Sequence, residues 1–217
     1  MSTSEDRCRL VLIAPEVGDP DEAARIMADA LKGGDVASVI IPQYGLDDTD
    51  FQKLAEKLVP IVQQAGAAAL IAGDSRTAGR AKADGLHIAG GTEQLGEAIE
   101  KFTPKLIVGG GDAQERHSAL EIGELQPDYI FFGKLDGDFK PEAHPKNLAL
   151  GEWWASMIEI PCIVMGGTDP ASVLDIAETG AEFAALRLAV FAEPGRAAAI
   201  VQETNAILDQ KAPRLKV

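Results

Sequence analysis

A glycine turn in the last third of the chain is the segment best suited to bind an anion. The apolar run 160-IPCIVM-165 is followed by 166-GGTDP-170 and an amphipathic segment, which predicts a strand, a tight turn and a capped helix start. Glycine has no Cβ, so main-chain N–H groups can approach a ligand, and a helix N-terminus favours negative charge. The sequence therefore predicts that Gly166, Gly167 and Thr168 bind a phosphate, with an ordinary tight turn as the alternative.

Three charged residues lie in or just after apolar runs. Asp74 follows such a run, where a carboxylate can ligate a metal or act as a base, and a helix cap is the alternative. Lys134 ends another run; a desolvated lysine there would be able to form a Schiff base, whereas a solvated loop lysine would not. Arg187 needs an anionic partner, either a bound phosphate or a carboxylate such as Glu182.

Two further features, one within an apolar run and one at the end of another, have a structural and a functional interpretation. His87 lies within an apolar run, and a hydrogen-bonded core histidine is favoured over a catalytic one. The triplet 109-GGG-111 removes three side chains from the end of another run. Either the backbone approaches a ligand at this triplet, or a bulky neighbour needs the room.

The elements that must position these residues alternate along the whole chain. Short, non-alternating apolar runs suit strands covered on both faces, and segments with helical spacing separate them. The pattern predicts an α/β fold, a single (β/α)8 TIM barrel over residues 1–217, with an open flavodoxin-like sheet as the alternative. The long polar loop 133–147 is predicted to be an active-site lid. The eight expected strands are 9–14, 36–42, 68–72, 85–88, 106–108, 129–132, 160–165 and 184–190.

Composition limits the classes of partner. The chain has 217 residues, 46% of them apolar, and a formal charge of −14, which argues against nucleic acid or an anionic membrane but not against a small anionic substrate. The two cysteines have no CxxC spacing and are expected to be buried free thiols of a reducing cytoplasm. No apolar stretch reaches the roughly 18 residues of a membrane span. We therefore expect a cytoplasmic protein that binds a phosphorylated small molecule, with a homo-oligomer as one expected assembly.

Three motifs in register carry a family resemblance. The segments 84-DGLH-87, 128-DY-129 and 166-GG-167 resemble the thiamine phosphate synthase family, including its tautomerase-like relatives, and the similarity extends from residue 10 to about residue 191. The resemblance implies a transferase that joins a hydroxymethylpyrimidine diphosphate to a thiazole phosphate and releases pyrophosphate. It also implies Mg²⁺ as the cofactor, bound to the diphosphate.

The resemblance assigns roles to individual residues. Asp74 matches the metal-binding aspartate of the family, and Glu93 would replace the second metal carboxylate with a shift of one residue. Lys140 would stabilise the pyrophosphate. Gly167 and Arg187 would hold the thiazole phosphate, with Arg187 compensating for a phosphate-binding serine that is absent from the next position.

One segment departs strongly from the family pattern. At the end of the second strand, 41-IPQYGL-46 keeps Gln43 but lacks both cations that grip the diphosphate. Weak or absent turnover is therefore expected, because those cations would stabilise the leaving group. The alternatives are a barrel that binds a phosphorylated small molecule without turnover, and a Schiff-base aldolase or lyase that uses Lys134.

Overall fold

The eight strands form one closed, parallel barrel in chain order. The computed structural model describes residues 6–111, 113–193 and 195–215. Each strand pairs with the next, and the last pairs with the first, so the predicted TIM barrel is confirmed and the open sheet is excluded. The strands are β1 Arg9–Ile13, β2 Ser38–Pro42, β3 Ala68–Ala72, β4 Gly85–Ile88, β5 Ile107–Gly110, β6 Tyr129–Phe132, β7 Cys162–Met165 and β8 Phe183–Leu186.

Helices cover the outside of the barrel. Asp19 caps the first helix with its carboxylate, as its place before Pro20 predicts. Within the described ranges, no helix has the length and apolar character that a membrane span requires. The helices are α1 Pro20–Ala30, α2 Asp48–Gln64, α3 Ser75–Ala81, α4 Thr92–Phe102, α5 Arg116–Glu124, α6 Pro145–Met157, α7 Ser172–Glu178, α8 Leu188–Phe191 and α9 Ala197–Lys211, with a 3₁₀ turn at Leu31–Gly33.

Two hydrophobic cores result from the alternation of side chains along each strand. One core lies between the strands and the helices. The other fills the barrel interior, because residues at every second strand position point inward. A ligand must therefore bind at a rim of the barrel rather than inside it. The inner core consists of Val11, Ile13, Ile40, Leu70, Tyr129, Phe131, Ile163, Met165 and Ala185.

Three carboxylates link strands at the N-terminal end of the barrel. Each lies directly before an even-numbered strand and accepts a main-chain N–H from the preceding strand at 2.7–2.9 Å. Because the acceptor is charged, these are strong hydrogen bonds. The pairs are Asp84 with Ala69, Asp128 with Val108, and Glu182 with Cys162. Glu182 therefore serves the N-terminal end and is not the partner of Arg187.

The eighth strand is shorter than predicted. It ends at Leu186, and the apolar residues that follow form the single-turn helix α8, so the expected strand over 184–190 is wrong beyond Leu186. A short apolar run does not distinguish strand from buried helix, which is why the sequence misleads here. Arg187 consequently lies at the C-terminal rim, between β8 and α8, and not within a strand.

We predict that Asp84→Ala lowers the free energy of unfolding by about 1–3 kcal/mol, because the N–H of Ala69 loses a charged acceptor in a partly buried position. Urea denaturation measures the change. Glu97→Ala, an exposed carboxylate on α4, is the control and should change stability little. Equal stability of the two variants would contradict a structural role for the carboxylate bonds.

Candidate functional site

Two adjoining cavities open at the C-terminal rim. One, of about 430 Å³, is lined by Gln43, Gly73 and His87 among others. The second, of about 280 Å³, shares His87 and Leu135 with the first and reaches Lys134. The rim thus brings Gln43 and Lys134, both predicted site residues, to neighbouring spaces of a size that suits a small molecule.

A third cavity lies under the connection from β6 to α6. This connection, residues 133–144, is shorter than the predicted loop 133–147 because α6 begins at Pro145, and it is called the lid below. The cavity has a volume of about 520 Å³ and is lined by Lys140 and Gly166. The structure therefore places the predicted pyrophosphate ligand Lys140 opposite the first glycine of the predicted phosphate turn.

The lid binds directly to the turn that follows β7. The N–H of Thr168 donates to the carbonyl of Lys140 at 2.8 Å, and the N–H of Asp169 donates to the carbonyl of Pro141 at 3.1 Å. A Cβ on Gly167 would overlap the carbonyl of Pro141. The sequence predicted that the N–H groups of this turn face a ligand; in the structure the lid accepts those of Thr168 and Asp169.

The two glycines of the turn also have internal acceptors. The N–H of Gly166 donates to Ala185 at 2.9 Å, and that of Gly167 donates to the Ser172 hydroxyl at 3.0 Å. The helix start expected at 168–170 is wrong, because α7 begins at Ser172. Before it, the Asp169 carboxylate accepts the N–H of Ala171 and so closes a turn through its side chain. This turn competes with helix geometry, as aspartates near turns commonly do.

Arg187 and Asp138 form a buried ion pair at the end of β8. The side chains are 11% and 0% exposed, respectively. Arg187 donates from Nε and Nη2 to Oδ1 of Asp138 at 2.9 and 2.6 Å, and the N–H of Leu188 donates to Oδ2 at 2.6 Å. The partner that the sequence required for Arg187 is thus a lid residue 49 positions away.

The end of β2 contributes Tyr44 instead of cations. Tyr44 has a left-handed backbone, with φ 48°, and its hydroxyl donates to the carbonyl of Ala14 at 2.7 Å. Burial raises its pKa to about 12, with Arg187 close by. Gln43 is turned toward α2, where its amide donates to Leu46 and Asp48. The sequence segment around Gln43 contained Tyr44, but only the fold shows that this tyrosine reaches Arg187.

Asp74 is both a helix cap and a candidate metal ligand. It accepts the N–H of Arg76 and a hydrogen bond from the Arg76 side chain, each at 2.8 Å, and the latter is the main cause of its lowered pKa. Arg76, with a 74% exposed side chain, was missed from sequence although it lies two residues from Asp74. Such exposed pairs are weak, so another cation can replace Arg76.

Asp74 and Glu93 supply carboxylate oxygens, the kind of ligand that Mg²⁺ prefers. Within the described ranges, no three metal-ligating side chains cluster. Mg²⁺ commonly takes one or two protein carboxylates together with substrate phosphates. Asp74 follows β3, and Glu93 lies exposed in the first turn of α4, after the neighbouring strand β4. The two carboxylates therefore belong to the same sector of the rim.

His87 is the core histidine that the sequence favoured. It is 2% exposed, its Nδ1 lies 2.9 Å from the Tyr129 hydroxyl, and burial lowers its pKa to about 4. The imidazole is therefore neutral at neutral pH. Gly109 has no side chain because the Tyr129 ring occupies that space, so room for a bulky neighbour is the reason for this glycine.

Lys134 lies in a setting that does not favour Schiff-base chemistry. It lines a rim cavity, as predicted, but its side chain is exposed. A nucleophilic lysine needs a neutral amine, which desolvation or a neighbouring cation provides. The exposure of Lys134 therefore disfavours the lyase alternative.

The fold and the rim define the class of protein. A closed (β/α)8 barrel with polar and cationic groups at the C-terminal ends of its strands is a barrel that binds small molecules at this rim. The thiamine monophosphate synthase family model matches residues 10–190. The chain therefore belongs to this family, which confirms the resemblance seen in the sequence.

Individual relatives agree with the family match. The chain is 32% identical to a thiamine-phosphate synthase of Rhodospirillum centenum, covering 93% of this chain and 98% of the relative. It is 31% identical to one of Erythrobacter litoralis, covering 91% and 95%. Among solved structures, the thiamine phosphate pyrophosphorylase of Pyrococcus furiosus has a TM-score of 0.79 at 19% identity, covering 96% and 98%, which shows a shared fold.

We predict that His87 makes stability depend on pH. Its pKa falls from 6.5 to about 4 on folding, so the unfolded chain takes up a proton first, and stability is lost as pH falls from about 6.5 toward 4. The loss at pH 5 should be about 2 kcal/mol. Urea denaturation at pH 7.5 and pH 5 should show this loss in the wild type and not in His87→Phe. The exposed His117→Gln variant should retain the loss; a wild-type-like pH profile in His87→Phe would refute the assignment.

Proposed function

We propose that the protein is a transferase of thiamine biosynthesis that joins a hydroxymethylpyrimidine diphosphate to a thiazole phosphate and releases pyrophosphate. The observation that carries the proposal is the family match over residues 10–190. Relatives named thiamine-phosphate synthase that align over nearly their whole length support it.

The diphosphate is proposed to bind at the rim sector formed by β2 to β4. Gln43 borders the cavity there, and Asp74, with Glu93, would hold Mg²⁺, which neutralises part of the diphosphate charge when bound. Arg76 supplies a cation in this sector, and we propose that it takes over part of the role of the missing second-strand cations.

The thiazole phosphate is proposed to bind at the opposite sector, at the ends of β7 and β8. Gly166, Gly167, Thr168 and Arg187 lie there. Lys140, on the lid between the sectors, would stabilise the negative charge that develops on the departing pyrophosphate. Electrostatic stabilisation of this kind is commonly the largest catalytic contribution.

A reducing compartment is consistent with the thiols. Cys8 and Cys162 are both free and buried, and burial raises the pKa of Cys8 to about 12. Burial raises the pKa of Cys162 as well, so both thiols are protonated and unreactive; that neither forms a disulfide agrees with the proposed cytoplasmic location.

We predict Mg²⁺-dependent pyrophosphate release from the two substrates, at a low rate because each missing charge-assisted contact costs about 1.5–3 kcal/mol. Asp74→Asn should lower this rate about tenfold or more, and Asp175→Asn, an exposed carboxylate on α7, should not. A coupled pyrophosphate assay measures both. Wild-type protein that binds inorganic phosphate but releases no pyrophosphate would instead support the binding barrel without turnover.

We predict that Lys134 forms no Schiff base. Because its side chain is exposed, the lysine lacks the desolvated setting that a Schiff-base lysine requires, and borohydride added with carbonyl substrates should leave the protein mass unchanged. Intact-protein mass spectrometry tests this, with Lys134→Met as the comparison. A covalent adduct that disappears in Lys134→Met would overturn the transferase proposal in favour of a lyase.

A further inference from the structure

The buried carboxylate of Asp138 lies in an otherwise exposed part of the lid. Its neighbours Asp136 and Phe139 are exposed, whereas the Asp138 side chain is 0% exposed. A buried charge requires compensation. Arg187 and the N–H of Leu188 provide it through three hydrogen bonds of 2.6–2.9 Å, so the lid inserts one anion into a set of donors on the barrel.

The same donors suit a phosphate. The planar fork of an arginine matches carboxylate and phosphate oxygens alike, and main-chain N–H groups bind both. The donors lie at the C-terminal end of β8, a position at which TIM barrels commonly hold phosphate. The Asp138 carboxylate thus occupies the position beside the Arg187 guanidinium that a ligand's phosphate would take.

The main chain of the lid likewise occupies hydrogen-bond donors at the end of the neighbouring strand, β7. The carbonyls of Lys140 and Pro141 accept the N–H groups of Thr168 and Asp169 after β7. One continuous segment, 138–141, therefore engages donors at the ends of both β7 and β8. A phosphate that uses these donors must remove this segment first.

We propose that the lid carries an internal competitor for phosphate: Asp138 holds Arg187 until a phosphorylated ligand displaces it, and residues 138–141 then leave the ends of β7 and β8, with the Lys140 side chain free to contact the ligand's anion from the displaced lid. The inference rests on the proposed function, since it takes the ends of β7 and β8 as the phosphate site. The Asp138 carboxylate repels a phosphate that approaches the same guanidinium. Only molecules in which Asp138 has left Arg187 therefore bind phosphate, and the measured affinity equals the intrinsic affinity multiplied by the fraction of such molecules. The same competition promotes release of a phosphorylated product.

Calorimetric titration with inorganic phosphate at constant ionic strength tests the competition. Asp138→Asn should bind phosphate about tenfold more tightly than wild type, because the competing charge is gone. Asp136→Asn removes the same charge from an exposed position on the same lid and should bind within about twofold of wild type. Unchanged or weaker binding by Asp138→Asn, or an equal gain in Asp136→Asn, would overturn the proposal.

Hydrogen exchange on the wild type tests the proposal without a substitution that removes a buried charge. Saturating inorganic phosphate should accelerate amide exchange in residues 134–143, since the lid leaves its seat when phosphate occupies Arg187. Slower or unchanged exchange would mean that the lid closes over the ligand or does not respond to it, and either result overturns displacement.

These results separate the competitor from the proposed function. Pyrophosphate release by the wild type, together with unchanged phosphate affinity in Asp138→Asn, would overturn the competitor and leave the transferase proposal standing. Tighter phosphate binding by Asp138→Asn without turnover in any variant would support the competitor and count against the transferase.

Discussion

The arrangement of the rim depends on the buried ion pair between Asp138 and Arg187. This pair fixes the lid at the end of β8, and from there the lid carbonyls reach the turn after β7. A buried pair adds little net stability compared with apolar packing, but breaking it leaves an uncompensated charge. Its effect is therefore to define one position of the lid, and with it the shape of the cavity beneath.

Local charge at this rim differs from the charge of the whole chain. The formal charge of −14 does not argue against an anionic ligand, because three cations lie at the rim: Arg187 at the end of β8, Lys140 on the lid and Arg76 after β3. Arg187 alone among them is largely buried, and its charge acts at low effective dielectric. The exposed Lys140 and Arg76 act through water and are screened by salt.

The fold was predictable because barrel strands are short, non-alternating apolar runs separated by segments with helical spacing. Much of the site was not predictable from the sequence. The bounds of β3, β4 and β6 match the apolar runs, since turn residues border them. The end of β8 was missed because 188–191 is as apolar as a strand. Asp136 and Asp138 are equivalent in sequence, both acidic residues of a polar loop; only the packing of the lid against a residue 49 positions later buries one of them. Lys134 and Gln43 reach the rim cavities as strand position predicts, whereas the turn at Gly167 has acceptors that only the tertiary structure supplies.

The carboxylates at the N-terminal end add a side-chain bond within successive pairs of strands. Asp84, Asp128 and Glu182 each join an odd strand to the even strand that follows, and at the first pair Asp35 binds the Arg9 side chain instead. Each of the four strand pairs thus contains its own side-chain bond, in addition to the main-chain ladders that join all eight strands. A circular permutation opened after α2, α4 or α6 keeps all four pairs intact, whereas one opened after α3 or α5 separates a strand from its own carboxylate.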